Sequence, residues 1–378
     1  MATNHTVSVD DAVSYHYGQF PPANLNYKQI IYPLAKATDA LARFDQMLKN
    51  MHNSEILLAP LRKQEAVISS RMEGTISTID EIMRYEADYG DDDTGIKQVR
   101  SEVIETLLYQ RALRSAQKAI EEGEEISPWL IRGIHQKLLS LGRGAEKSPG
   151  AYKHEQNYLV DKGSRKIIFV PISPEKLQDG LDELFRYIKE SDDQILIKTA
   201  ITHIEFEALH PFKDGNGRIG RMMITLMLWA AGVISAPHFY ISAYLEEAKN
   251  SYIDSMRQVS STGNWTEWCC FFLEALEQQA IHNLSIAETI RSLYEDMKDQ
   301  FREILSSKWH ANALDFVFTN PIFRNSKFAS ASGIPSWSTA ARFVRVLADN
   351  GLLSVLEPPA GRRSGLYAFE PLLKLVRV

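Results

Sequence analysis

His210-Pro211-Phe212-Lys213-Asp214-Gly215-Asn216-Gly217-Arg218-Ile219-Gly220-Arg221 joins two apolar stretches of helical period. The first, residues 195–209, must end here, because a residue that precedes proline is pushed out of the α region. The second starts near Arg218 and runs to Gly232, a natural helix stop. Gly215 and Gly217 let the backbone turn tightly and expose its N–H groups. Loop amides beside a helix N-terminus form an anion site. Arg218 and Arg221 are three residues apart and share one face of the first turn. Cations are misplaced at that end, where the helix dipole is already positive. They make sense around an anion, and a di- or triphosphate suits arginine's bidentate grip. Asp214 fits such a site as a ligand for Mg²⁺ between carboxylate and phosphates. His210, at the loop's mouth, is placed to take a proton from a hydroxyl.

Competing readings of the same residues fail on context. GNGRIG matches G-x-G-x-x-G, but no strand precedes it, and positions 234–242, ISAPHFYIS, hold no acid. No HRD or DFG triplet is present, which removes a protein kinase. His203-Ile204-Glu205 looks like the start of a zinc-deaminase motif, but no PCxxC follows, so His203 is expected in the core.

Further out, the pattern is mainly α. Helical spacing covers 27–50, 60–73, 77–88, 97–121, 126–141, 174–190, 193–209, 218–231, 243–260 and 264–300. Residues 90–95 form an acidic loop. The exception is 152–171, where two β-prone runs flank Asp161-Lys162-Gly163-Ser164 and predict a hairpin flap. The 378 residues suggest two or three domains. We place boundaries at 1–100 (N-terminal helical region), 101–290 (catalytic core) and 291–378. From residue 301 on, ten bases face five acids, so residues 1–300 carry a net −11 of the overall −6. This tail is expected as helix, helix and β-wing, a winged helix-turn-helix. Ser338 or Thr339 would cap the second helix, Arg342 and Arg345 would lie on it, and Arg362 and Arg363 on the wing. DNA and protein both remain open as its partner.

Adjacent Cys269 and Cys270 form neither a loop-closing disulfide nor a zinc pair. The N-terminus lacks an apolar signal core, and the longest apolar stretch, Met222–Ile234, falls short of a membrane span. A reducing, cytoplasmic location is expected, with no membrane partner.

HPFKDGNGRIGR resembles the HPFx(D/E)GNGRxxR signature of Fic proteins at every defining position. The likeness extends to YHYGQFPP and EAVISSRMEGT in residues 15–85. It also takes in Gly150-Ala151-Tyr152 with Gln156-Asn157-Tyr158, as a strand leading into the flap, and Trp265–Leu273 as a closing helix. The resemblance implies a Fic-type helical core that transfers AMP from ATP to a protein Ser, Thr or Tyr hydroxyl and releases pyrophosphate. His210 would be the general base and Asp214 the Mg²⁺ ligand. Gly215, Asn216, Gly217, Arg218, Ile219, Gly220 and Arg221 would bind the nucleotide phosphates, and Phe212 would fix the loop. Ile167, Ile168, Phe169 and Val170 would pair with an extended target segment. The family often shows two aromatics over the adenine. Here only Tyr252 is aromatic at those positions, so Tyr252 either lines the nucleoside pocket or packs in the core.

Ser69-Ser70-Arg71-Met72-Glu73-Gly74 resembles the family's inhibitory (S/T)xxxE(G/N) motif. The resemblance pairs Glu73 with Arg221 at the γ-phosphate position, with Ser69 opening the motif. Four questions stay open at this level: removal of AMP by the same site, transfer of another phosphate-containing group, a regulator acting through the tail, and a homodimer.

Overall fold

The computed structural model describes residues 12–51, 54–90, 99–161 and 163–378. The acidic run Asp91–Thr94 and Lys162 of the predicted turn lie outside the described residues, as do residues 1–11. Among the described residues the chain is mainly helical. Its helices are α1 (Tyr27–Asn50), α2 (Ser54–Met72), α3 (Ile79–Tyr89), α4 (Ser101–Glu121), α5 (Pro128–Leu138), α6 (Pro174–Glu190), α7 (Ile195–Leu209), α8 (Asn216–Ala230), α9 (Ser242–Glu247), α10 (Lys249–Thr262), α11 (Trp265–Leu305), α12 (His310–Thr319), α13 (Asn325–Ala331), α14 (Trp337–Asp349) and α15 (Glu370–Val376). The strands are β1 (Val13–Ser14), β2 (Leu159–Val160), β3 (Ile167–Val170), β4 (Ile322–Arg324), β5 (Ser354–Glu357) and β6 (Leu366–Ala368).

The chain forms two compact units. One comprises residues 1–42 and 111–280, the other 43–110 and 281–378. The first is built around α7 and α8, which are buried along almost their whole length. Periodicity alone identifies such all-round apolar helices poorly, and here length and the flanking stops decide. α7 ends at Leu209 as expected, and His210 takes the left-handed conformation at φ 46°. α8 ends with Gly232 at φ +71°, where Val233 N–H donates to Leu228 O and Gly232 N–H to Trp229 O. The closing helix is present as α11, with Trp268, Phe272 and Leu273 fully buried. Trp268 Nε1 donates to Ala200 O at 2.8 Å.

The flap is present, with a correction. It is not a lone hairpin, because β3 is the middle strand of a sheet ordered β1-β3-β2. β1 pairs in parallel with Phe169 and Val170, and β2 pairs antiparallel on the other side. Sequence reading missed β1, whose two residues carry no strand pattern of their own. A second correction concerns residues 151–158, which form no strand.

In the second unit, α2 begins at Ser54, so Pro60 lies inside it instead of opening it at 60. The predicted helix over 243–260 is two helices, α9 and α10. The N-cap of α14 is Ser336, whose Oγ accepts from Thr339 N–H at 3.3 Å, in place of Ser338 or Thr339. The tail adds β4, a third helix before the wing and α15 to the expected elements. Its sheet is antiparallel throughout, with β6 between β4 and β5. Within this unit the acids of α3 hold the tail. Arg324 donates to Asp88 at 2.6 Å and to Glu357 at 2.7 Å, and Arg377 to Asp80 at 2.9 Å.

Candidate active site

The left-handed turn at His210 lets the chain leave α7 and re-enter at α8 within six residues. Asn216 locks that turn. Its Oδ1 accepts from Phe212 N–H at 2.9 Å, and its Nδ2 donates to Phe212 O at 2.8 Å. The Asn216 side chain is thus spent on the loop, and only its backbone N–H remains for a phosphate. Phe212 is fully buried and stacks on His135, ring centroids 3.8 Å apart. Gly215, at φ +82°, stands where a Cβ would crowd Leu138 at 3.2 Å.

His135 was not singled out in the sequence. It lies on α5, remote in the chain, and carries no motif. Its Nδ1 accepts from Gly150 N–H at 2.8 Å, so the ring proton is on Nε2, which donates to Asp214 O at 3.1 Å. Burial pushes this imidazole down to about 4, so it is neutral at pH 7.

His210 is half-buried, and its Nδ1 faces Glu207 O at 3.3 Å. A proton on Nδ1 leaves the lone pair on Nε2, the arrangement a general base needs. Asp214 is partly exposed. Its Oδ1 accepts from Gly215 N–H at 2.5 Å and from Arg218 Nη2 at 3.1 Å. No hydrogen bond to its Oδ2 occurs among the described residues. The Arg218 side chain is only 2% exposed, and its Nε and Nη1 have no hydrogen-bond partner there. Such a buried, half-satisfied guanidinium is costly unless an anion completes it. It sits at the N-terminus of α8, where the amides of residues 216–218 have no acceptor within the helix. The donor set fits a polyphosphate.

Arg221 is buried one turn on, and Ile219 and Gly220 are buried between the two arginines. At Gly220 a Cβ would lie 2.4 Å from Glu207 Oε1, so that carboxylate would have to move aside. Among the described residues no cluster of three His, Cys, Asp or Glu could hold a metal by itself. Asp214 with substrate phosphates is the kind of site Mg²⁺ uses.

Tyr252 lies in the aromatic core. It is 4% exposed, its hydroxyl is 2.7 Å from His203 Nε2, and its ring packs near Trp268 and Phe271. His203 is buried, as expected. Glu73 and Ser69 belong to the second unit. Ser69 is buried and Glu73 exposed. Glu73 caps α2: Gly74, at φ +93°, donates to Arg71 O at 2.9 Å, and Thr75 N–H donates to Ser70 O at 3.0 Å. The glycine after Glu73 supplies that left-handed turn.

The α7–loop–α8 hairpin with its buried arginines is what a Fic-type core would have, and sequence comparison agrees. Residues 31–118 match the Fic/DOC family N-terminal model and residues 125–228 the Fic/DOC family model. Together these spans exceed half of the chain, and the protein belongs to the Fic/DOC family. A sequence from Aquifex aeolicus named as a probable protein adenylyltransferase is 26% identical over 64% of this chain and 75% of its own length. The protein adenylyltransferase Fic of Nematostella vectensis is 29% identical over 30% of this chain, a match spanning only a quarter of that relative. A Fic family protein from Desulfovibrio desulfuricans shares the fold, with a TM-score of 0.56 at 17% identity over 92% of this chain and 98% of its own.

Proposed function

We propose that this protein is an adenylyltransferase that moves AMP from ATP to a hydroxyl of a protein. The buried Arg218 guanidinium, two nitrogens unpartnered, on the same turn that His210 opens is the observation that carries the reading. The target oxygen attacks the α-phosphorus while His210 Nε2 takes its proton. The bond from the α-phosphorus to the bridging oxygen breaks, and pyrophosphate leaves. The first-turn amides of α8, Arg218 and Arg221 hold the phosphates, and fixed donors aimed at developing charge supply most of the rate. The open oxygen of Asp214 would hold Mg²⁺, which would neutralise phosphate charge.

The exposed outer edge of β2, where Tyr158 and Val160 are each 48% exposed, takes an extended target segment. We prefer it to Ile167–Val170 itself, because β1 pairs with Phe169 and Val170 on one side and β2 with Ile167 and Phe169 on the other. Glu73 acts as the brake by competing with the γ-phosphate for Arg221. The exposed cap position of Glu73 and the motif around it support this role. The order α12, β4, α13, α14, β5, β6 supports a winged helix, with Arg342 and Arg345 exposed on α14 as its contact residues. Arg363, expected on the wing, is engaged by Asp88 at 3.2 Å. Segments 1–100, 101–290 and 291–378 remain our division of labour among brake, catalysis and partner contact, and the absence of an apolar spanning helix among the described residues suits a cytoplasmic site of action.

The test is labelling with ATP carrying the label on its α- or γ-phosphate. Transfer of α-label to protein, lost in His210→Ala, is expected. Transfer of γ-label, or α-label unaffected by His210→Ala, overturns the assignment.

A further inference from the structure

Residues 153–157 take over the carbonyl groups of the catalytic turn one after another. Lys153 Nζ donates to Leu209 O at 3.0 Å. Asn157 Nδ2 donates to His210 O at 3.0 Å and to Phe212 O at 3.1 Å. Lys153 N–H donates to Pro211 O at 2.8 Å. Four consecutive carbonyls, 209 to 212, are thus held by two residues. Lys153 Nζ also donates to Asn157 Oδ1 at 2.8 Å, which orients the amide that serves His210 and Phe212.

This wiring explains why 151–158 is not a strand. The backbone N–H of Lys153 is committed to Pro211 O and cannot serve a ladder. It also explains a buried lysine. Lys153 is 4% exposed, and among the described residues no carboxylate accepts from its Nζ. Burial pushes its amine down to about 7. Packing alone would favour an apolar side chain here. A terminal nitrogen with two acceptors is retained where its donors are used.

The segment has a second connection. Two residues after Asn157 the chain enters β2, the exposed edge of the flap. Gln156 Nε2 donates to Pro171 O at 3.0 Å, just past β3. The same five residues therefore touch the catalytic turn and both strands' outer ends.

We propose that Lys153 and Asn157 are positioning residues that set His210 against the attacking hydroxyl and transmit target docking on the flap to the catalytic turn. This rests on the adenylyltransferase reading. Neither side chain reaches the phosphate donors, so turnover should fall without loss of nucleotide affinity.

Lys153→Met and Asn157→Ser, each made in wild type and in Glu73→Gly, test it. Expected is a fall in kcat of about 10- to 100-fold, the usual cost of a base displaced by an ångström or less. KM for ATP and the ATP-induced melting shift should hold, and Lys153→Arg, which restores two N–H donors, should recover most of the rate. A kcat within about twofold of the parent, or a loss of rate matched by loss of the ATP-induced shift, overturns the proposal. If the parent shows no AMP transfer, the functional reading fails separately, and the brace is judged by NMR. The His210 ring signals and exchange of the Phe212 amide should change in both variants. Unchanged signals overturn the brace.

Discussion

Arg218 keeps a guanidinium out of water with two nitrogens unpaired, at a cost on the order of 1–3 kcal/mol for an unsatisfied buried group. Arg218→Met should therefore leave the melting temperature of the free protein nearly unchanged, yet abolish the stabilisation that ATP confers by mass action. Thermal melts with and without ATP check both halves. His203 makes a different prediction. Burial, with the Arg221 charge adding to it, pushes its imidazole down to about 3 from an ordinary 6.5. The unfolded chain thus binds the proton more readily. The stability from neutral His203 is complete above the unfolded value and drains away as pH falls towards the folded one. Its share of the slope is about 1.4 kcal/mol per pH unit. Urea unfolding near pH 7 and near pH 5 should show a steeper acid loss in wild type than in His203→Gln.

The helix ends carry the next level of control. α2 stops because Gly74 adopts φ +93°, and that stop puts Glu73 at the cap. A β-branched residue in the left-handed region is strained, so Gly74→Val should destabilise by about 1–2 kcal/mol in a denaturant titration. Glu73→Gly has the opposite functional sign from most active-site changes. It should raise self-labelling with α-labelled ATP, whereas Arg221→Ala should lower it, and the double variant should match Arg221→Ala. A Glu73→Gly protein no more active than wild type would remove the brake. α7 and α8 were legible almost to the residue, because a proline ends one and glycines bound the other. α9 and α10 were not, since their single turn-like break at Ala248 carries neither Gly nor Pro.

The two compact units each draw on segments distant in sequence. In the second, the tail's Arg324, Arg363 and Arg377 meet acids at Asp88 and Asp80 of α3, some 240 to 300 residues earlier. Asp88→Ala leaves the Arg324 guanidinium, itself buried, with fewer partners. It should cost about 1–3 kcal/mol, typical of a lost charge-assisted bond, readable as a lower melting temperature. The tail's surplus of five positive charges was legible in the sequence. That α3 consumes part of it was not, because pairing across such separations leaves no periodic trace. A tail whose arginines are half spent offers a nucleic acid fewer contacts than its composition promises, and Arg342 and Arg345 are the two to replace in a DNA-shift assay.

By itself the sequence determined the turn at 210–215, its helices, the family and the residue types that a polyphosphate would call for. Those features are local: a proline, two glycines and two arginines act within a dozen positions, and backbone sterics and a helix dipole operate at that range. Only the tertiary structure decided what holds the turn. His135 under Asp214, Lys153 and Asn157 on four carbonyls, and β1 against the flap come from distant segments. Their roles arise from buried hydrogen-bond groups that must find partners wherever the fold brings them. Spacing along the chain does not encode that need, which is why a lysine in a run resembling a strand gave no sign that it braces the catalytic histidine.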